Sequence, residues 1–312
     1  MRTSVLICTV AAALGSAPAP SQTQAPPTIL EVDAVAVDRH GSPVTDLRPE
    51  DVEIWLERYR IPLASLTALS DVDERRRRSI VLILDDIAVP PALVPRAKEA
   101  ARRFVTGLEA GDRMAIVTLT GGGTQSTDDR AALLRTIDAY GARATATIRA
   151  EDLAAQVLST LTTVSRGAAE TPGHRRTVVG IGAGWMFDTP VPPSAAVRDL
   201  RPEWTTAVRA MALANVALYV IDPGGVGASR ATSGSSGMAR DTGGHAFLNT
   251  NDLDGAVERI LREAVTYYIV RFEDPPFFRT APLRKLDVRA RRPGVTLRAR
   301  QLIAGNPDDL RR

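Results

Sequence analysis

Asp85 and Asp86 follow the apolar run "SIVLIL" at 79–84, and Asp222 follows "VALYVI" at 216–221. Carboxylates at the ends of buried strands serve two kinds of chemistry. They are hard oxygen ligands for a divalent cation, or they accept hydrogen bonds from backbone amides of the next turn. Side chains alternate along a strand, so Asp85 and Asp86 face opposite ways and only one of them can enter a given pocket. Two expectations follow. Either one aspartate caps the strand-to-helix turn while the other is solvated, or Asp85 or Asp86 joins Asp222 in a cation site on the same edge.

The other chemistry-bearing residues argue against catalysis. An acidic pair after a first strand also occurs in phosphoacceptor receiver domains, which need an aspartate after a later central strand and a lysine after the last. Here "MAIVTLT" ends without an acid, and the two lysines, Lys98 and Lys285, fall in a helical pattern and in the C-terminal strands. "SGSSG" at 233–237 follows no strand and opens no helix by pattern, so it reads as a flexible loop and not as a nucleophile elbow. His40, His174 and His245 show neither metal spacing nor a serine partner. "TGGGT" at 120–124 lacks the lysine and following helix of a phosphate loop and reads as a tight turn. The chain is expected to be no enzyme and to need no cofactor.

These residues must be held by a scaffold, and 312 residues with 44% hydrophobic content suffice for one large domain and a small one. From Ser79 the pattern alternates strand and helix. Continuous apolar runs at Ile80–Leu84, Met114–Leu119, Thr177–Ile181 and Val216–Ile221 suit strands covered on both faces, as in a parallel sheet. Helical stripes intervene: Ala97, Ala100, Ala101, Phe104 and Leu108 behind Pro95; Leu153, Val157, Leu161 and Val164; Trp204, Val208 and Met211 behind Pro202. A fourth runs from Leu253 to Ala264, with Thr250 or Asn251 as its cap. The expected fold is α/β, a doubly wound and mostly parallel sheet with small flanking β segments.

The flanks alternate with period two. Val52, Ile54 and Leu56 point one way; Leu286, Val288 and Ala290, then "RPG", then Val295, Leu297 and Ala299 predict a hairpin with one wet face. The expected organisation is a signal peptide and polar linker over 1–25, a β segment over 26–72, the α/β domain over 78–265, and C-terminal strands over 266–304 that pack with 26–72. The start "MRTSVLICTVAAALGSAPAPSQTQAPP" has one early arginine, an apolar stretch too short to anchor in a bilayer, and small residues. It predicts export to the periplasm or beyond the cell, with no membrane span. The single cysteine, Cys8, lies within that stretch, so disulfides and thiolate chemistry are not expected in the mature chain. Net charge is only +3, and the arginine-rich segments with few aromatics read as a solvated face and not as a nucleic-acid surface.

The frames "VDRHGSPVTDLRPEDVEIW", "SIVLILDDIAVPPALVPRAKEAARRFV", "GDRMAIVTLT", "VALYVIDPGG" and "ARDTGGHAFLNTNDLDGAVERILREAVTYYIVRF" resemble the bacterial VWFA-related family, exported proteins abundant in Acidobacteria. The resemblance implies a von Willebrand factor type A domain, whose usual work is binding proteins through a metal at the upper edge of its sheet. That site begins with Asp-x-Ser-x-Ser after the first strand. Laid on this chain from Asp85, the serine positions are Ile87 and Val89, which cannot coordinate. An aspartate expected after the fourth strand is replaced by "GAG" at 182–184, with Asp188 several residues late. A hydroxyl is available from Thr118, Thr120 or Thr124. The usual metal site is therefore expected to be degenerate; a nonstandard one for Mg²⁺ or another divalent cation would draw on Asp85, Asp86, Thr120 and Asp222.

Binding of a protein partner is the function that remains. The loop "GWMFDTPVPPS" leaves the C-terminal edge of the sheet carrying Trp185, Met186 and Phe187, residue types enriched in interface cores, with prolines at 190, 192 and 193. Read outward, this loop and Asp86 form a partner-binding ridge. Read inward, the same residues fold back over the core.

Overall fold

The computed structural model describes residues 28–69, 77–143, 148–169, 175–183, 185, 198–227, 233–275 and 281–305. The N-terminal flank supplies β1 (Ile29–Asp38), β2 (Val52–Leu56), β3 (Tyr59–Ile61) and β4 (Leu63–Leu69). The middle then alternates: β5 (Ser79–Leu84), α1 (Val94–Thr106), β6 (Arg113–Thr118), α2 (Arg130–Ala139), α3 (Ala150–Ala169), β7 (Arg176–Ile181), α4 (Arg201–Leu213), β8 (Val216–Ile221), α5 (Ser233–Asp241), β9 (Ala246–Phe247) and α6 (Leu253–Glu263). The C-terminal flank adds β10 (Tyr267–Glu273), β11 (Leu283–Ala290), β12 (Val295–Ala299) and β13 (Leu302–Ala304).

The apolar runs form a five-stranded parallel sheet in the order β6-β5-β7-β8-β9. Pairing is in step, with Leu84 opposite both Thr118 and Ile181, and Ile181 opposite Ile221. The residues that follow these strands, Asp85, Leu119, Gly182 and Asp222, therefore line one edge. Helices cover both faces, which is why β8 is buried at every position. Ile80, Leu82 and Leu84 pack against α1, α2 and α6 on one face. Ile83 packs against α3 and α4 on the other, with Val81 at the margin of that cluster. Phe104 of α1 is fully buried, a contribution of about 1.5–3 kcal/mol.

Two local expectations are corrected. Helix α6 is capped by Asp252, whose side chain accepts from the Gly255 N–H, and not by Thr250 or Asn251. "SGSSG" opens helix α5 and is not a loop; Met238 and Ala239 are buried there. Serine and glycine favour turns over helix interiors, so burial of the following residues overrides the local preference.

The two flanks build antiparallel sheets ordered β12-β1-β10-β4 and β13-β11-β2-β3. Their inner faces share one core, with Val32, Ala34 and Val270 from the first sheet meeting Ile54, Leu56 and Leu286 from the second. The hairpin expected across "RPG" is not one: β11 pairs with β2 and β13, whereas β12 pairs with β1. The chain arches from one sheet to the other, because both strands turn their apolar residues into the shared core.

A buried polar layer joins this sandwich to the amino-terminal end of the parallel sheet. The Asn215 amide donates to Asp33 Oδ2 at 2.7 Å, and Arg300 donates to Asn215 Oδ1 at 2.7 Å and to the Ala212 carbonyl at 2.9 Å. Arg300 thus satisfies carbonyls at the end of α4. Burial holds its pKa down to about 10, against the attraction of Asp33. Nearby, Tyr219 Oη donates to Glu263 at 2.7 Å and accepts from Arg175 at 3.0 Å. No helix among the described residues is long and apolar enough to cross a membrane. The signal segment lies outside those residues.

Candidate functional site

The carboxyl edge of the parallel sheet is built around Asp85, which continues the odd-numbered face of β5. Gly180 on β7 and Gly182 just past its end sit two apart, so both leave the same face without a side chain. The Trp185 indole fills the trough. A Cβ on Gly180 would lie 2.1 Å from its ring, and one on Gly182 would lie 2.3 Å from Nε1. Trp185 is 2% exposed and packs in the core shared with α3 and α4.

The indole N–H donates to Asp85 Oδ2 at 2.8 Å. Asp85 Oδ1 accepts from the Ile87 and Ala88 amides at 3.0 and 2.7 Å, and the Ala183 amide also donates to this carboxylate. Burial raises the pKa of Asp85 above the usual carboxylate value, and these N–H donors oppose that rise. Tyr140 Oη closes the site from the opposite face by donating to the Asp85 carbonyl at 2.8 Å. Val89, at the second serine position of the family motif, is buried, and Ile87 lies against the same core as Trp185.

Asp86 continues the even-numbered face and is 2% exposed. The expectation that one aspartate of the pair is solvated is therefore corrected: both are buried. Asp86 Oδ2 accepts from the Thr120 hydroxyl, and Oδ1 accepts from the Thr120 amide at 3.2 Å. Arg143 closes the arrangement. Its Nε lies 3.2 Å from Asp86 Oδ2, and its backbone N–H donates to the Asp86 carbonyl at 2.8 Å. The arginine side chain remains well exposed, beside a shallow pocket of about 200 Å³ lined by Asp86, Thr118, Gly122, Tyr140 and Arg143.

Asp222 is used locally, Oδ1 accepting from the Gly224 amide at 2.8 Å. Thr118 Oγ1 accepts from the Gly122 amide, and Thr124 Oγ1 from the Ile116 amide, so both hydroxyls fasten the "TGGGT" turn. The structure brings Asp86 and Thr120 together but draws Asp85 and Asp222 into separate hydrogen-bond sets. No cluster of three or more acidic or histidine side chains suited to a metal occurs among the described residues. The ridge expectation is corrected for Trp185 and Asp86, since both are buried; Met186 and Phe187 lie outside the described residues. Arg143 and Tyr140 were not legible in the sequence, because each meets the aspartates only through the tertiary fold.

His245 shares a cleft with Ser236 and Asp287. No hydrogen bond joins the three among the described residues, and Asp287 is held by Arg289 at 2.7 Å. His245 packs edge-on against Phe247, with ring centroids 4.8 Å apart.

No family model matches the chain, and no curated protein matches it. Among solved structures the chain is similar to proximal thread matrix protein 1 from the mussel byssus, with a TM-score of 0.42 and 14% identity over 64% of this chain. It spans half of that protein's length. It is also similar to a point mutant of the PilB minor pilin from Streptococcus sanguinis, with a TM-score of 0.39 and 8% identity over 62% of this chain and 64% of that one. These are partial likenesses of shape at low identity, and they leave function to be read from the site.

Proposed function

We propose that the chain is an exported, non-enzymatic protein-binding module of the von Willebrand A type, whose metal site has been replaced by hydrogen bonds within the chain. The observation that carries this reading is the Asp85 carboxylate. Its oxygens accept from Trp185, Ile87, Ala88 and Ala183, while the motif's hydroxyl positions carry Ile87 and Val89. A cation at this edge would have to displace those donors and meet two apolar side chains.

The same edge offers a different positive charge. Buried Asp86 fixes the base of Arg143, whose side chain reaches solvent. Where a related domain presents a metal ion to its partner, this one places an arginine charge at the same edge. A cation held by Asp86 and Thr120 is the second reading, supported by the carboxylate–hydroxyl contact between them. The test is co-purification of envelope proteins on the immobilised full chain with chelator present. Binding that survives chelation and is lost in Arg143→Gln, in protein that still unfolds cooperatively, supports the first reading. Binding abolished by chelator supports the second. Retention of every partner by Arg143→Gln removes Arg143 from the account.

A further inference from the structure

Between α5 and β9 on one side and the β11–β12 arch on the other lies a cleft of about 390 Å³. It is separate from the carboxyl edge and joins the parallel sheet to the sandwich. We propose that this cleft binds a small organic oxyanion, a carboxylate or a phosphate monoester, between Arg240 and Arg298.

Three arginines, Arg240, Arg298 and Arg300, line the cleft against one carboxylate, Asp287, which is already held by Arg289. Arg300 is engaged with carbonyls of α4 and with Asn215. Arg240 is exposed at the end of α5 and has no ion-pair partner among the described residues. Arg298 is mostly buried. Its Nη2 binds Glu263, which holds the guanidinium at the cleft wall. Glu263 also pairs with Arg259, so one carboxylate answers two guanidinium charges and the cleft wall keeps a net positive charge for an oxyanion to meet. Guanidinium forks match carboxylate and phosphate oxygens, and Ser236 adds a hydroxyl to the lining. The volume lies at the small end of organic-ligand pockets and leaves room for a body attached to the anion.

His245 reports on the local field. Its pKa is pushed down to about 4 by burial first and then by the charges of Arg298 and Arg259, with Glu263 opposing. An anion seated at Arg298 screens that charge, so the imidazole becomes easier to protonate. The experiment follows the His245 ring by NMR in the full chain across pH 3–8, with phenyl phosphate, citrate, or sodium chloride at matched ionic strength. The proposal expects the midpoint to rise by about one unit in phenyl phosphate or citrate but not in chloride, and the preferred probe distinguishes phosphate from carboxylate. Arg240→Gln, on an exposed residue, should leave the melting temperature unchanged and weaken binding by about tenfold or more. Arg298→Gln takes one of three partners from buried Glu263 and so changes stability as well as binding, which makes Arg240 the deciding variant. An equal midpoint in all three salts, or unchanged affinity in Arg240→Gln, would overturn the proposal.

Discussion

The Trp185–Asp85 contact combines a shape and a hydrogen bond, and substitutions separate them. Trp185→Phe keeps an aromatic ring over Gly180 and Gly182 but removes the donor to Asp85, a change expected to cost about 1–3 kcal/mol in denaturant unfolding. Trp185→Ala also empties the trough and should cost about 3–5 kcal/mol. A loss under 0.5 kcal/mol for the phenylalanine variant would mean that the indole N–H plays no part in holding the carboxylate. His245 makes a second prediction at this scale. Its folded pKa of about 4 lies below the ordinary value of 6.5, so between those values the unfolded chain binds a proton that the folded chain refuses. Stability is thus fully present above pH 6.5 and falls as pH drops toward 4. His245→Phe should flatten that part of the stability profile, and an unchanged slope would assign the acid sensitivity to other groups.

At the scale of elements, the α4 terminus is the joint to test. Arg300→Met keeps the length of the side chain but strips donors from the Ala212 carbonyl and Asn215 and removes a charge that compensates Asp33. The expected cost is about 3–5 kcal/mol, read from denaturant unfolding, with partial recovery when Asp33→Asn is added. A cost under 1 kcal/mol would show that the polar layer is not what fastens α4 to the sandwich. The elements differed in how far the sequence revealed them. Strands β5 to β8 were legible because burial on both faces leaves an uninterrupted apolar run, and α1 and α6 because their apolar stripes keep helical spacing. The two-residue β9 carries too little pattern to be read. Helix α5 was hidden by its serines and glycines, and the β11–β12 arch looked like a hairpin because alternation fixes which face is apolar but not which strand is the neighbour. At the site, alternation correctly sent Asp85 and Asp86 to opposite faces. It did not foresee that both would be buried, since Trp185 and Arg143 reach them from 100 and 57 positions along the chain.

At the scale of the molecule, the parallel sheet holds acidic side chains along its carboxyl edge and is fastened to the β-sandwich at its other end. Cation-dependent adhesion would leave that edge open to metal, whereas the proposed module keeps it closed by indole, amide and guanidinium donors. These alternatives differ in one thermodynamic quantity. A cation at a hundred times its dissociation constant adds about 2.7 kcal/mol to a protein that binds it. The most direct measurement is thermal unfolding of the full chain in chelator and in millimolar Mg²⁺, Mn²⁺ or Ca²⁺, beside the Asp85→Ala, Asp86→Ala double variant. The account predicts that wild type melts at one temperature in all four conditions and that the double variant melts lower by the same amount in each. A metal-dependent rise in the wild type, absent from the variant, would contradict it and assign the aspartates to a cation.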